Sequence, residues 1–197
     1  ILPKGMKLIR GWSGHPYSMV QELDDSFDAL VMIGYHSAAS QGGNPLAHTM
    51  SSKKLDSISI NDRFASEFFI HGNIAAKHGV PIVFLSGDVG LCEEVKEVSP
   101  NTTTVATMVG VGDSTISIHP EESLYAIRHN VKSALSGKLS NCLWEHPKSF
   151  IVQIRFNKQH LAYRSSHYPG VDLLDAKTIL FKTDDYDAVM ELILFVL

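Results

Sequence analysis

The sequence predicts an α/β fold: a partly parallel sheet layer over residues 1–112, followed by a smaller α+β lobe over 113–197. Three observations predict it. Two short, continuous apolar runs, Leu30–Ile33 and Pro81–Leu85, have the pattern of strands buried on both faces. Between them, Phe64–His78 carries helical apolar spacing and stops at Gly79 and Pro81, the residues that end helices. After Gly110-Val111-Gly112 the texture changes to a long helix, two separated strands and a terminal helix, which is an α+β pattern.

Taken in order, Lys7–Gly11 reads as a short strand. Tyr17–Leu23 reads as a helical turn with Met19, Val20 and Leu23 on one side, closed by Asp24-Asp25. Leu30–Ile33 is the first buried strand and runs on through Gly34-Tyr35 to His36. Small and polar residues from Ser37 to Pro45, with Gly42-Gly43 among them, make a loop. Ile58-Ser59-Ile60 alternates as a strand and turns at Asn61-Asp62. In the Phe64–His78 helix, Phe64, Phe68 and Ala75 share a face. Pro81–Leu85 ends at Ser86-Gly87-Asp88, Leu91–Val98 is a short helix, and Thr102–Met108 is a β-branched strand. This alternation is Rossmann-like, and in such layers ligands gather beyond the carboxyl ends of the strands, where His36, Asn61 and Asp88 fall.

In the second part, Pro120–Leu135 is a helix with proline at its first turn and Gly137 near its end. Ser149–Phe156 alternates, sending Phe150, Val152, Ile154 and Phe156 inward. Thr178–Phe181 is another strand, and acidic residues open a terminal helix over Asp184–Leu197.

Composition narrows the function classes. A chain of 197 residues with 44% hydrophobic and 19% charged residues is ordinary for a globular domain, and a net charge of −4 gives no reason to expect a nucleic-acid partner. The longest apolar run, Leu192–Leu197, is far too short to cross a bilayer. Cys92 and Cys142 form no CxxC pair and read as reduced thiols of a cytoplasmic protein. The beginning, Ile1-Leu2-Pro3, reads as the middle of a connection, so a fragment, a processed chain or a trimmed chain is expected.

Of the 10 histidines, His36 and His48 stand out, and with Glu67 they suit a zinc hydrolase, whose protein ligands leave a coordination position open for water. Each has a plainer reading. A strand-end His36 can simply hydrogen-bond a loop carbonyl, and His48 among apolar neighbours can be a satisfied core histidine. Glu67 can complement the helix dipole, and Asp88 can cap the next helix. His15, His71, His78, His129, His146, His160 and His167 read as loop or helix-surface residues. Gly110-Val111-Gly112-Asp113-Ser114-Thr115 lacks the lysine of a phosphate-binding loop, so nucleotide binding is rejected, and there is no GxSxG elbow.

Ordered along the chain, Tyr17-Ser18-Met19-Val20, Leu23-Asp24-Asp25-Ser26-Phe27-Asp28-Ala29, Ile33-Gly34-Tyr35-His36-Ser37-Ala38 and Leu46-Ala47-His48-Thr49-Met50 lead to Ile60-Asn61-Asp62 and Glu67. Val80-Pro81-Ile82-Val83, Ser86-Gly87-Asp88, Pro100-Asn101-Thr102, Ile118-His119-Pro120, Tyr168-Pro169-Gly170 and Asp184-Asp185-Tyr186 follow. Together they resemble peptidase family M55, the zinc-dependent D-aminopeptidases of DppA type. The resemblance implies zinc, two ions per complete site, with His36 and Glu67 as metal ligands, His48 as the catalytic histidine and Asn61 beside the substrate. It implies substrates that are short peptides with a free amino terminus, D-alanyl peptides included, and a ring-shaped homo-oligomer. It places an Asp-x-Glu strand and a further histidine upstream of what matches Ile1, so the remaining ligands are expected there. Met108 stands where many members carry a lysine. A metal-free binding or assembly subunit is the other reading.

Overall fold

A computed structural model describes residues 3–197. Ile1 and Leu2, and with them the expected mid-connection start, lie outside the described residues. The elements run β1 (Leu30–Tyr35), β2 (Leu55–Ile60), β3 (Arg63–Phe64), α1 (Glu67–Lys77), β4 (Ile82–Asp88), α2 (Val89–Val98), β5 (Thr103–Val111) and β6 (Ser114–Ser117). They continue with α3 (Pro120–Ser136), β7 (Phe150–Phe156), α4 (Gln159–Ser165), β8 (Val171–Leu173), β9 (Thr178–Thr183) and α5 (Tyr186–Val196).

The expected α/β architecture is present as two sheets. The first has the order β1-β4-β5-β6, with β1, β4 and β5 parallel and β6 returning antiparallel. The second, β3-β2-β7-β9-β8, is antiparallel throughout. The sheets interleave along the chain: β2 and β3 precede the expected 112/113 boundary yet pair in the second sheet. β6 and α3 follow that boundary yet belong to the first layer, where α3 packs on β4 and β5. The boundary itself falls within the turn of the β5–β6 hairpin.

β4 is buried along its whole length, as a continuous apolar run in the middle of a parallel sheet should be. β7 alternates as the sequence predicts, with Phe150, Val152, Ile154 and Phe156 all at most 1% exposed. Each of these side chains contributes about 2 kcal/mol by leaving water. α1 is buried on nearly every side, so it is a central helix and not an amphipathic cover. Its Gly72 is required by packing, since a Cβ there would collide with the ring of Trp144. The Tyr186 hydroxyl of α5 donates to the Ile70 carbonyl of α1 at 2.8 Å, which ties the terminal helix to this core.

Several expectations are corrected. Lys7–Gly11 is exposed and pairs with no strand among the described residues; a strand exists only where a neighbour takes its hydrogen bonds. Tyr17–Leu23 holds only the short 3-10 turn Ser18–Val20, because Ser18 has a φ of 51° that no helix continues. α1 begins at Glu67, not Phe64: Ser66 is its N-cap and accepts from Phe69 N–H, while Phe64 belongs to β3. β1 is an edge strand, so Ile33 is 53% exposed and the run is not buried on both faces. His71, read as a surface residue, is fully buried. α4 and β8 were not predicted. Both cysteines are free, and among the described residues no helix is long and apolar enough to cross a membrane.

Candidate metal centre

The carboxyl end of β1 delivers His36, and the end of its parallel neighbour β4 delivers Asp88. Parallel pairing therefore puts the loop after His36 directly over Asp88. Asp88 is fully buried and uses both oxygens on that loop and on α2. Its Oδ2 accepts from Ser37 N–H at 2.7 Å and from the Asn44 amide at 2.9 Å. Its Oδ1 accepts from the Ser37 hydroxyl at 2.5 Å and from Leu91 N–H at 2.8 Å. Burial alone would raise this carboxyl, but the bonds from Ser37, Leu91 and Asn44 outweigh it and hold the group below the usual aspartate value. The helix-capping reading of Asp88 is correct, and the residue also anchors both ends of the loop that follows His36. The same loop explains Gly110: its N–H donates to the Gly43 carbonyl at 2.6 Å, and a Cβ would strike that carbonyl. Gly110 thus serves close backbone approach, while Gly112 supplies a φ of 57° in the β5–β6 turn.

His48 reaches the same place from the segment between β1 and β2, and Glu67 from the first position of α1. The three side chains each offer a ligand atom, and these atoms all lie within 4.8 Å of one another. The His36 and His48 rings stack with centroids 4.4 Å apart. Glu67 is 6% exposed, its Oε1 accepts from Met50 N–H at 2.8 Å, and the same oxygen stands 3.9 Å from His48 Nε2.

The imidazoles are oriented by backbone carbonyls. His36 Nδ1 faces the Ser37 carbonyl at 3.1 Å, and His48 Nδ1 faces the Leu46 carbonyl at 2.8 Å. A carbonyl only accepts, so in each neutral ring the proton sits on Nδ1 and Nε2 keeps its lone pair. This is the outer-shell arrangement that prepares a histidine to ligate a metal. Two imidazole nitrogens and one buried carboxylate form a donor set suited to zinc, with room for a further ligand. Among the described residues the buried carboxylate has no basic side chain within ion-pair reach other than His48, and a metal would satisfy it.

The trio opens into a cavity of about 710 Å³ walled by Trp12, Met19, Ile33, Tyr35 and Met50. Burial, with the Glu67 charge added, pushes the Tyr35 phenol upward and keeps it protonated. Asn61 is not brought to this cavity. It sits in the β2–β3 turn with a φ of 51°; its amide nitrogen donates to the Ser149 carbonyl and its oxygen accepts from Ile151 N–H. Both side-chain groups bond backbone beside or within β7 and lock the hairpin to that strand, which gives Asn61 a structural role. Asn61 borders a separate open cleft of about 620 Å³ with Glu93, Glu94 and Glu97. Burial pushes the Glu94 carboxyl up to about 7 against the hydrogen bond it accepts from Ser66.

Sequence reasoning brought His36, His48, Glu67 and the loop-anchoring Asp88 forward, but not Met50, whose φ of 57° accompanies its N–H bond to Glu67 and which no composition or spacing signal marks.

Known proteins share this architecture and these segments. The family model for Peptidase_M55, D-aminopeptidase, matches residues 1–195. A curated D-aminopeptidase of Bacillus subtilis (strain 168) is 27% identical over 172 residues, covering 86% of this chain and 62% of the relative. The chain thus spans about three fifths of that protein's length. A solved structure described as the Zn-dependent D-aminopeptidase DppA from Bacillus subtilis, a self-compartmentalizing protease, superposes with a TM-score of 0.82 at 25% identity. That match covers 92% of this chain and 66% of the solved one.

Proposed function

Since the chain belongs to peptidase family M55, the D-aminopeptidases, we propose that its His36, His48 and Glu67 serve the metal centre of a zinc-dependent aminopeptidase. Its substrates are short peptides with a free amino terminus, including peptides of D-amino acids such as D-alanine. The observation that carries this reading is the pair of imidazoles whose Nδ1 atoms are committed to carbonyls, which frees their Nε2 lone pairs, with ligand atoms of both rings and of a buried carboxylate within 4.8 Å of one another.

Bound there, zinc would polarise the scissile carbonyl and lower the pKa of a coordinated water. The chain's own residues do the rest. His36 and Glu67 would ligate, with the Glu67 carboxylate held in place at Oε1 by Met50 N–H. His48, whose side chain is 35% exposed and so open to the cavity, is the base and moves a proton at Nε2. Trp12, Met19, Ile33 and Met50 give the cavity an apolar wall that shields the substrate from water. A second ion would require donors beyond this trio. The protein also assembles with copies of itself, a reading supported by its likeness to a protease described as self-compartmentalizing. The free Cys92 and Cys142 support a reducing, cytoplasmic setting.

The test is zinc content per chain after dialysis, measured alongside hydrolysis of D-alanyl and L-alanyl p-nitroanilides. Retained zinc that is lost in Glu67→Ala, with turnover preferring the D-alanyl compound, is the expected result. A chain that retains no zinc at any supplied concentration overturns the metal reading and leaves a metal-free binding subunit.

A further inference from the structure

The three members of the trio lie on separate stretches of chain, and one hydroxyl touches all three stretches. Thr49 is 0% exposed. Its Oγ1 accepts from Ala39 N–H at 3.0 Å, on the loop that begins with His36, and donates to the Ala65 carbonyl at 2.9 Å, two residues before Glu67. Thr49 itself follows His48 directly. Its carbonyl accepts from Ser51 N–H at 2.6 Å, closing a three-residue turn with Met50 at its centre. In that position Met50 has a φ of 57°, a left-handed conformation that costs a residue with a side chain, and it aims its N–H at Glu67 Oε1. The Thr49 hydroxyl thus has one donor and one acceptor partner, both backbone, both buried, and each on a segment carrying a different member of the trio.

We propose that Thr49 is a positioning residue: its hydroxyl clamps the His36 loop, the His48 turn and the entry of α1 into one geometry, setting the spacing of His36, His48 and Glu67. The clamp acts in the metal-free protein, and only its effect on zinc rests on the function proposed above. Neither a valine nor an alanine can reproduce it, because each lacks the hydroxyl. Serine keeps the hydroxyl and can restore the clamp.

The experiment compares the full chain with Thr49→Val, Thr49→Ser and, as a matched control, Thr102→Val. Thr102 donates a buried hydroxyl to the Ile82 carbonyl at 2.6 Å, at the opposite end of β4 from the trio. The first readout, in metal-free protein, is the nuclear Overhauser effect between the stacked His36 and His48 rings. The second is zinc affinity. Thr49→Val is expected to lose the ring-to-ring signal and to bind zinc about tenfold or more weakly, as loss of a supporting group typically does. Thr49→Ser is expected to keep both, and Thr102→Val to lower Tm with neither changed.

The proposal is overturned if Thr49→Val retains the ring-to-ring signal, or if Thr102→Val loses it equally. Should Thr49→Val not fold, hydrogen exchange in the unaltered chain decides. The Ala39 amide is then expected to be protected as strongly as that of Leu91, which Asp88 caps, and exchange as fast as that of the exposed Gly42 overturns the clamp. A chain that binds no zinc but shows the ring contact and its loss in Thr49→Val rejects the metal reading while sustaining this one.

Discussion

At the residue scale the decisive chemistry is where protons and lone pairs point. Glu67 is a buried carboxylate whose one firm hydrogen bond comes from Met50 N–H. Glu67→Gln keeps an oxygen for that bond and removes the charge. It is expected to weaken zinc binding at least tenfold while leaving the metal-free Tm equal or higher, because an unpaired buried charge is itself destabilising. Zinc titration calorimetry and melting in chelator check this; a falling metal-free Tm with unchanged zinc affinity would reverse the assignment. Asp88 makes the opposite case, since its charge is fully used. Asp88→Asn turns an acceptor into a donor that faces donors, so a loss of about 3 kcal/mol in urea unfolding is expected. Its folded pKa lies below the unfolded value, so the stabilisation from its charge is present above the unfolded pKa and disappears as pH falls through the folded one. Much of this site was legible in the sequence, since His36, His48 and Glu67 are of ligating types and sit at element ends. What held them was not legible, because a strained turn at Met50 and a shared hydroxyl at Thr49 are relations between segments and leave no local pattern.

At the scale of elements, α1 governs both stability and site. Its apolar spacing and its Gly79 stop were readable, and Gly79 does adopt the left-handed φ of 68° expected past a helix end. Its burial was not readable, because a sequence shows one helix face at a time and not that a second layer covers the other. His71 bears the consequence. Burial pushes its imidazole down to about 4, against the opposing pull of the Glu67 backbone carbonyl. A histidine held neutral in the fold favours the folded state fully above its unfolded pKa of about 6.5 and loses that contribution as pH falls toward 4. The loss amounts to about 3 kcal/mol over that window. His71→Leu is expected to flatten the decline in urea-unfolding stability between pH 7 and pH 4.5, and an unchanged slope would place the acid sensitivity elsewhere. α4 and β8 escaped prediction for a related reason: α4 is short and mostly polar, held by contacts with β7, β8 and β9 and not by its own periodicity. Lys7–Gly11 erred in the other direction, read as a short strand but given no partner among the described residues.

For the whole molecule, the proposed self-assembly requires a surface, and the β5–β6 hairpin with α3 offers one. β6 is exposed throughout and lies at the sheet's edge, the usual place for a strand to meet another chain. Val111 and Ile116 of the hairpin and Leu124 and Tyr125 of α3 are each at least 59% exposed. α3 turns Ala126, Ile127, Val131 and Ala134 toward Val83, Phe84 and Val105 of the sheet, so Leu124 and Tyr125 are surplus to its own packing. Large apolar side chains left exposed beside an open sheet edge are candidates for a contact surface. Ile116→Lys combined with Leu124→Lys would place two charges there without touching the trio or the core. The double variant is expected to sediment as a smaller species than the unaltered chain while its unfolding free energy changes by less than about 1 kcal/mol, as with most exposed substitutions. If both proteins sediment alike as assemblies, the copies meet through another face. If the unaltered chain sediments as a single copy, the assembly proposal itself fails.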